Sequence, residues 1–208
     1  MQSLDFRARM RRVPGFDVVF DAVQNRHYRR WVAAGCPEGP PPQRYKTETL
    51  RRFAARFGLR ILVETGTAWG DTIHALRHDF DRLYTIELGE RIYRYACRRF
   101  RAFPHIRVLA GDSGTVIGEI LKEIDAPALF WLDGHYGGPL TARGDEDSPV
   151  EKELQHVLAH RRVRDHVVLL DDARFFTGTN GYPTLDRRSR ACMARKTPRR
   201  RLPRATSG

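Results

Sequence analysis

At 208 residues the chain can hold one domain with a sizeable core, and its formal charge of +12 points first to nucleic acid or a membrane surface. The charge sits at the two ends. Residues 187–208 carry nine bases and no acid, residues 1–60 carry 13 bases against five acids, and the centre is mildly acidic, which excludes a basic stripe on a folded nucleic-acid-binding core. Cys36, Cys97 and Cys192 form no CxxC pair, no apolar run follows Arg7, Arg9, Arg11 and Arg12, and no stretch reaches ~18 apolar residues, so a disulfide framework, a zinc site, a secretory signal and a spanning helix are excluded in favour of a soluble cytoplasmic protein.

In chain order, residues 1–35 read as one or two short helices, with Phe16, Val19, Phe20 and Val23 on one face, packed as a cap on the main domain. Cys36-Pro37-Glu38-Gly39-Pro40-Pro41-Pro42 is a linker that no helix crosses. Leu50, Phe53, Ala54 and Phe57 then predict a helix over 49–57, stopped by Gly58. From there strands (61–64, 82–87, 106–110, 128–133, 166–171) alternate with helices (70–78, 90–101, 114–124, 149–160). Ser148, Pro149 and Glu151 read as N-cap, N1 and N3 of the last helix, a capping box. Continuous apolar runs such as Ala128-Leu129-Phe130-Trp131-Leu132 suit strands covered on both faces. The expected fold is α/β, a doubly wound Rossmann-like sheet of mostly parallel strands, with domain limits at 1–45 (cap and linker), 46–186 (main domain) and 187–208 (basic tail).

In such a sheet the site lies outside the carboxyl ends of the strands. Strand one ends in Glu64-Thr65-Gly66-Thr67-Ala68-Trp69-Gly70-Asp71-Thr72, a glycine turn that lets backbone N–H groups approach a ligand. Strand two ends in Glu87, an acid suited to a ribose diol; strand three ends in Gly111-Asp112-Ser113. Strand four ends in Asp133-Gly134-His135-Tyr136 and a long glycine-rich loop, read as a mobile substrate-side loop, and strand five ends in Asp171-Asp172. A dinucleotide site is disfavoured, because Ala68 stands where G-x-G-x-x-G needs its second glycine and Glu64 is poorly placed beside a pyrophosphate.

The E-x-G-x-x-x-G turn, the acid after strand two and Gly-Asp-Ser after strand three resemble the class I S-adenosylmethionine-dependent methyltransferases over roughly 60–185. That resemblance implies a cofactor pocket in which Glu64, Gly66, Thr67 and Gly70 approach the methionine moiety and Thr72 holds its carboxylate. It also implies Glu87 at the ribose, and Asp112 with Ser113 at the adenine. Three carboxylates at neighbouring strand ends (Asp133, Asp171 and Asp172) repel one another unless a cation neutralises them, and hard oxygen ligands suit Mg²⁺, Mn²⁺ or Ca²⁺. An acid after strand four with Asp-Asp after strand five resembles the metal-dependent O-methyltransferases of catechol, caffeoyl-CoA and macrocin type, which implies metal-assisted O-methylation of a small hydroxylated acceptor, a sugar or natural product, with Asp133 and His135 catalytic. The plainer readings stay open: Asp172 as a helix cap, Asp133 bound to loop backbone, His135 as base, ligand or loop anchor, and Trp69 and Trp131 as packing residues. Those families often carry Lys or His three residues after the strand-four acid, where this chain has Tyr136.

Residues 187–208 lack any strand or helix period, so the antiparallel hairpin usual at the end of such a sheet is not expected. Two readings compete: a basic tail for RNA or an anionic surface, and a reading frame that diverges near Asp186 in a GC-rich gene and leaves an unpaired sheet edge. A truncated, non-catalytic cofactor-binding or nucleic-acid-binding protein is the alternative function.

Overall fold

The computed structural model describes residues 15–37, 41–133 and 149–171. Its elements are α1 (Phe16–Ala33), α2 (Gln43–Phe57), β1 (Ile61–Thr65), α3 (Asp71–Leu76), β2 (Arg82–Glu87), α4 (Glu90–Phe100), β3 (Ile106–Ala110), α5 (Ser113–Glu123), β4 (Ala128–Leu132), α6 (Val150–Ala159) and β5 (Val167–Leu170). The five strands form one sheet in the order β3-β2-β1-β4-β5, every neighbouring pair parallel. That order reverses between β1 and β4, which opens a crevice at their carboxyl ends.

The strands form where the sequence runs apolar because both faces are covered. All five residues of β1 and of β4 are buried. Leu62, Leu83, Leu129 and Trp131 pack with Leu50, Ala54, Ile73 and Phe100 on the side of α2, α3 and α4. Val63, Ile86, Phe130 and Leu132 pack with Ile117, Ile120, Val150 and Val157 on the side of α5 and α6. The two-residue period of a strand therefore sends successive side chains to opposite layers. Glu64, between Val63 and Thr65, goes to the α2 side and Thr65 to the α5/α6 side, so two adjacent polar residues serve two separate environments.

Two local expectations change. Helix α2 begins at Gln43 rather than 49, directly after Pro42, and ends on Gly58 at φ 64°, whose N–H reaches the Ala54 carbonyl. The extra turns carry Lys46, which becomes central below. Helix α6 starts at Val150 with Pro149 as the flanking residue, not as its first helical residue, and without a side-chain cap; Ser148 lies outside the described residues. In α1, Val19 and Val23 are exposed at 62 % and 58 %, while Phe16 and Phe20 of the same face are half-buried. Phe16 and Phe20 stack on each other, and the helix meets α2 near its carboxyl end, where the Trp31 and Tyr45 rings lie 5.2 Å apart. No helix among the described residues is long and apolar enough to cross a membrane.

Candidate functional site

The turn after β1 is held from the neighbouring strand. The N–H groups of Gly66 and Thr67 donate to the Ile86 carbonyl at 3.0 and 3.1 Å, and Gly70 N–H closes back on the Thr67 carbonyl at 2.8 Å. Gly66, Ala68 and Gly70 all have positive φ (78°, 47° and 70°). A side chain at Gly70 is excluded twice over, by its backbone and by Phe100, whose ring atoms lie 2.8 Å from where a Cβ would stand. Ala68 has no such exemption, and a non-glycine residue in the left-handed region costs about 1–2 kcal/mol. Its N–H is fixed by Glu87 Oε2 at 3.0 Å, while Glu87 Oε1 accepts from Gly89 N–H at 2.8 Å. Glu87 is only 7 % exposed; burial raises its pKa and the backbone N–H donors oppose that rise. A carboxylate has about four lone-pair sites, so Glu87 can accept a further donor such as a ribose hydroxyl.

On the α2 side, Glu64 is 1 % exposed. Its Oε2 accepts from Thr85 Oγ1 at 3.1 Å, and Thr85 pairs with Thr67 Oγ1 at 2.7 Å. Burial pushes Glu64 up to about 7, against the pull of Lys46. Lys46 Nζ lies 2.6 Å from Asp133 Oδ2, 3.5 Å from Glu64 Oε1 and 4.8 Å from the Trp131 ring centroid. Desolvation lowers the lysine's pKa, but Asp133, Glu64 and Asp171 together outweigh it and the net shift is upward, so the ammonium stays charged. Asp133 is anchored through its own N–H, which donates to Thr65 Oγ1 at 2.9 Å. Thr72 is buried and accepts from Gln43 Nε2 at 2.7 Å. Helix α3 holds only six residues, so the glycine turn rather than a long helix dipole defines this end. Between α2, β4 and β5 opens a cavity of about 360 Å³, lined among others by Tyr45, Lys46, Trp131, Asp133 and Asp171. That volume suits a small molecule.

On the α5/α6 side, Asp112 flanks α5 and accepts from Thr115 Oγ1 at 3.1 Å, and Ser113 is buried. Across from them Glu153 of α6 is fully buried, with neither carboxyl oxygen hydrogen-bonded. Burial pushes it up to about 7; the Ser113 and Thr65 hydroxyls face it and pull the other way.

The expected residues Glu64, Gly66, Thr67, Gly70, Thr72, Glu87, Asp112, Ser113 and Asp133 stand at or just after the carboxyl ends of β1, β2, β3 and β4. Asp171 lines the same cavity as Asp133. His135 and Asp172 lie outside the described residues, as do the 134–148 loop and the tail. For a divalent ion the described carboxylates do not fit: an ammonium already stands against Asp133, and among the described residues no group of three His, Cys, Asp or Glu is arranged to hold a metal.

Sequence reasoning missed Lys46 and Glu153. Both left a signal. Lys46 is the only lysine among the 13 bases of residues 1–60, and a compact ammonium is not interchangeable with a guanidinium fork. Glu153 falls on the apolar stripe of its helix with Val150, Leu154 and Val157, where an acid is out of place.

No family model matches the chain, and no curated protein matches it. Solved structures do align with it. A caffeoyl-CoA O-methyltransferase candidate from Staphylococcus aureus is 13 % identical, with 78 % of this chain and 75 % of that one covered at a TM-score of 0.45. An O-methyltransferase candidate from Klebsiella pneumoniae is 14 % identical, covering 77 % and 86 %, at 0.39. The O-methyltransferase TomG from Streptomyces achromogenes, solved with S-adenosylmethionine, is 18 % identical, covering 55 % of this chain and 58 % of its own, at 0.34.

Proposed function

We propose that this chain is an S-adenosylmethionine-dependent methyltransferase that acts on oxygen in a small hydroxylated acceptor, a sugar or a natural product. One observation carries the reading: the buried carboxylate of Glu87, at the end of β2, is bound to the backbone of the glycine turn after β1, beside the point where the strand order reverses. An acid fixed there can hold a ribose diol while the turn admits the rest of a nucleoside, and the acidic Glu64 beside the turn suits a cationic methyl donor better than a pyrophosphate.

In this reading Gly66, Thr67, Gly70 and Thr72 line the methionine end, Asp112 and Ser113 the adenine end, and the cavity beside Trp131 receives the acceptor. The bound donor supplies an electrophilic methyl group on sulfur. With the donor bound, Asp133 or His135 would take the proton that the acceptor hydroxyl gives up as it receives the methyl group. Magnesium assistance, the form suggested in the sequence by Asp133, Asp171 and Asp172, would require the ion to displace Lys46 from Asp133.

Incubation of the full chain with S-adenosyl-[methyl-¹⁴C]methionine and a panel of sugars and phenols tests this. Label transferred to acceptor oxygen, with S-adenosylhomocysteine formed, is expected. Cofactor bound with no label moved to any hydroxyl would support the non-catalytic alternative.

A further inference from the structure

We propose that Lys46 is the resident cation of the acceptor cavity: it takes the place that a divalent ion holds among strand-end carboxylates, and chemistry at this face runs without a metal. The inference rests on the methyltransferase reading for its chemical purpose, but its charge arrangement stands on geometry alone.

Carboxylates from three neighbouring strands converge here, Glu64 from β1, Asp133 after β4 and Asp171 after β5. Left bare they repel, and something positive must sit among them. The structure supplies it from outside the sheet. Lys46 extends from the second turn of α2, and its side chain is 12 % exposed. The ammonium is held by Asp133 at 2.6 Å and Glu64 at 3.5 Å, with the Trp131 ring at 4.8 Å. Asp171 adds to the field that keeps it charged.

A divalent ion on Asp133 has to expel this ammonium or share the oxygen with it, and cations so close repel strongly in a partly buried site. The lysine also does part of a metal's work. It holds the Asp133 carboxylate in place at the cavity wall. Lys46 acts through Asp133 and is a positioning residue. Trp131 contributes a flat face that favours a cation above it.

The test uses the full chain and Mn²⁺ alone, read by electron paramagnetic resonance, with titration of S-adenosylhomocysteine in EDTA and in Mg²⁺ beside it. Wild type is expected to leave Mn²⁺ free at millimolar concentration. Its affinity for S-adenosylhomocysteine should agree within about twofold between EDTA and Mg²⁺. Lys46→Ala, which removes the ammonium from Asp133, should gain Mn²⁺ affinity by about tenfold or more, and adding Asp133→Ala should abolish that gain. Tight Mn²⁺ binding by wild type that Asp133→Ala removes overturns the proposal, and so does a folded Lys46→Ala that gains none. If Lys46→Ala does not fold, Lys46→Met, which keeps the bulk, and the wild-type measurement decide in the same way. Failure of S-adenosylhomocysteine to bind counts against the methyltransferase reading and leaves the Mn²⁺ outcome to judge Lys46.

Discussion

Ala68 N–H donates to Glu87 Oε2 at 3.0 Å, so a residue at the end of β2 holds the strained turn that follows β1. The bond joins what the sequence separates by 19 positions, and it makes Glu87 both a ligand candidate and a brace. Glu87→Ala is expected to lower affinity for S-adenosylhomocysteine by about 10–100-fold and to cost about 1–2 kcal/mol of stability. Glu87→Gln, which keeps one acceptor oxygen, should recover most of the stability and little of the binding. Calorimetric titration and urea unfolding separate the two losses; equal binding by all three proteins would remove Glu87 from the site.

Gly70 faces a different constraint. At φ 70° with Phe100 ring atoms 2.8 Å from a would-be Cβ, Gly70→Ala should destabilise by about 2–4 kcal/mol, from backbone strain and overpacking together. Phe100→Leu in the same chain should relieve the overpacking and leave the backbone cost. A double-mutant cycle by urea unfolding should show a coupling of about 1 kcal/mol or more, and strict additivity would contradict the close approach.

Glu153 makes a pH prediction. Its pKa is raised from the ordinary 4.5 to about 7, so the folded chain holds its proton more tightly than the unfolded chain does. The stability this contributes is complete below pH 4.5 and is lost as pH rises from 4.5 through 7. The loss is on the order of 3 kcal/mol. Glu153→Gln should therefore be the more stable protein at pH 8, with the advantage shrinking toward pH 4.5. Urea unfolding of both proteins at pH 4.5 and 8 checks it, and a Gln variant weaker at pH 8 would mean that the acid is needed in its charged form.

Thr85 ties Glu64 to Thr67. Thr85→Val keeps the shape and removes both bonds, leaving Glu64 Oε2 and Thr67 Oγ1 buried with one partner fewer each. About 1–3 kcal/mol should be lost on urea unfolding, and a neutral substitution would show that the trio is not stabilising.

The sheet was legible because parallel strands covered on both faces must be written as apolar runs, and each run such as Leu129-Phe130-Trp131-Leu132 became a strand within a residue or so of its expected ends. The strand-end acids were legible for the same reason, since an acid closing an apolar run has few structural uses. Lys46 was not, because its partners Glu64 and Asp133 come from strands 18 and 87 positions away and nothing local in α2 points to them. The early start of α2 hid it further: a helix dated from residue 49 leaves Lys46 outside every expected element. Glu153 was overlooked for the opposite reason: its signal is local, but the reading of its helix rested on the capping pattern of Ser148, Pro149 and Glu151 and passed over an acid on the apolar stripe. Val19 and Val23 show the limit of periodicity, which aligns side chains on one face without stating what covers them.

The central claim is that the pocket around Glu87 and the glycine turn takes a methyl-donor nucleoside and not a dinucleotide. Calorimetric titration of the full chain with S-adenosylhomocysteine and, in parallel, with NAD⁺ addresses it most directly. S-adenosylhomocysteine should bind one per chain with micromolar affinity that falls about 10–100-fold in Glu87→Ala, and NAD⁺ should not bind. Binding of NAD⁺ with loss in the same variant, or no heat from S-adenosylhomocysteine with a chain shown to be folded, would contradict the account.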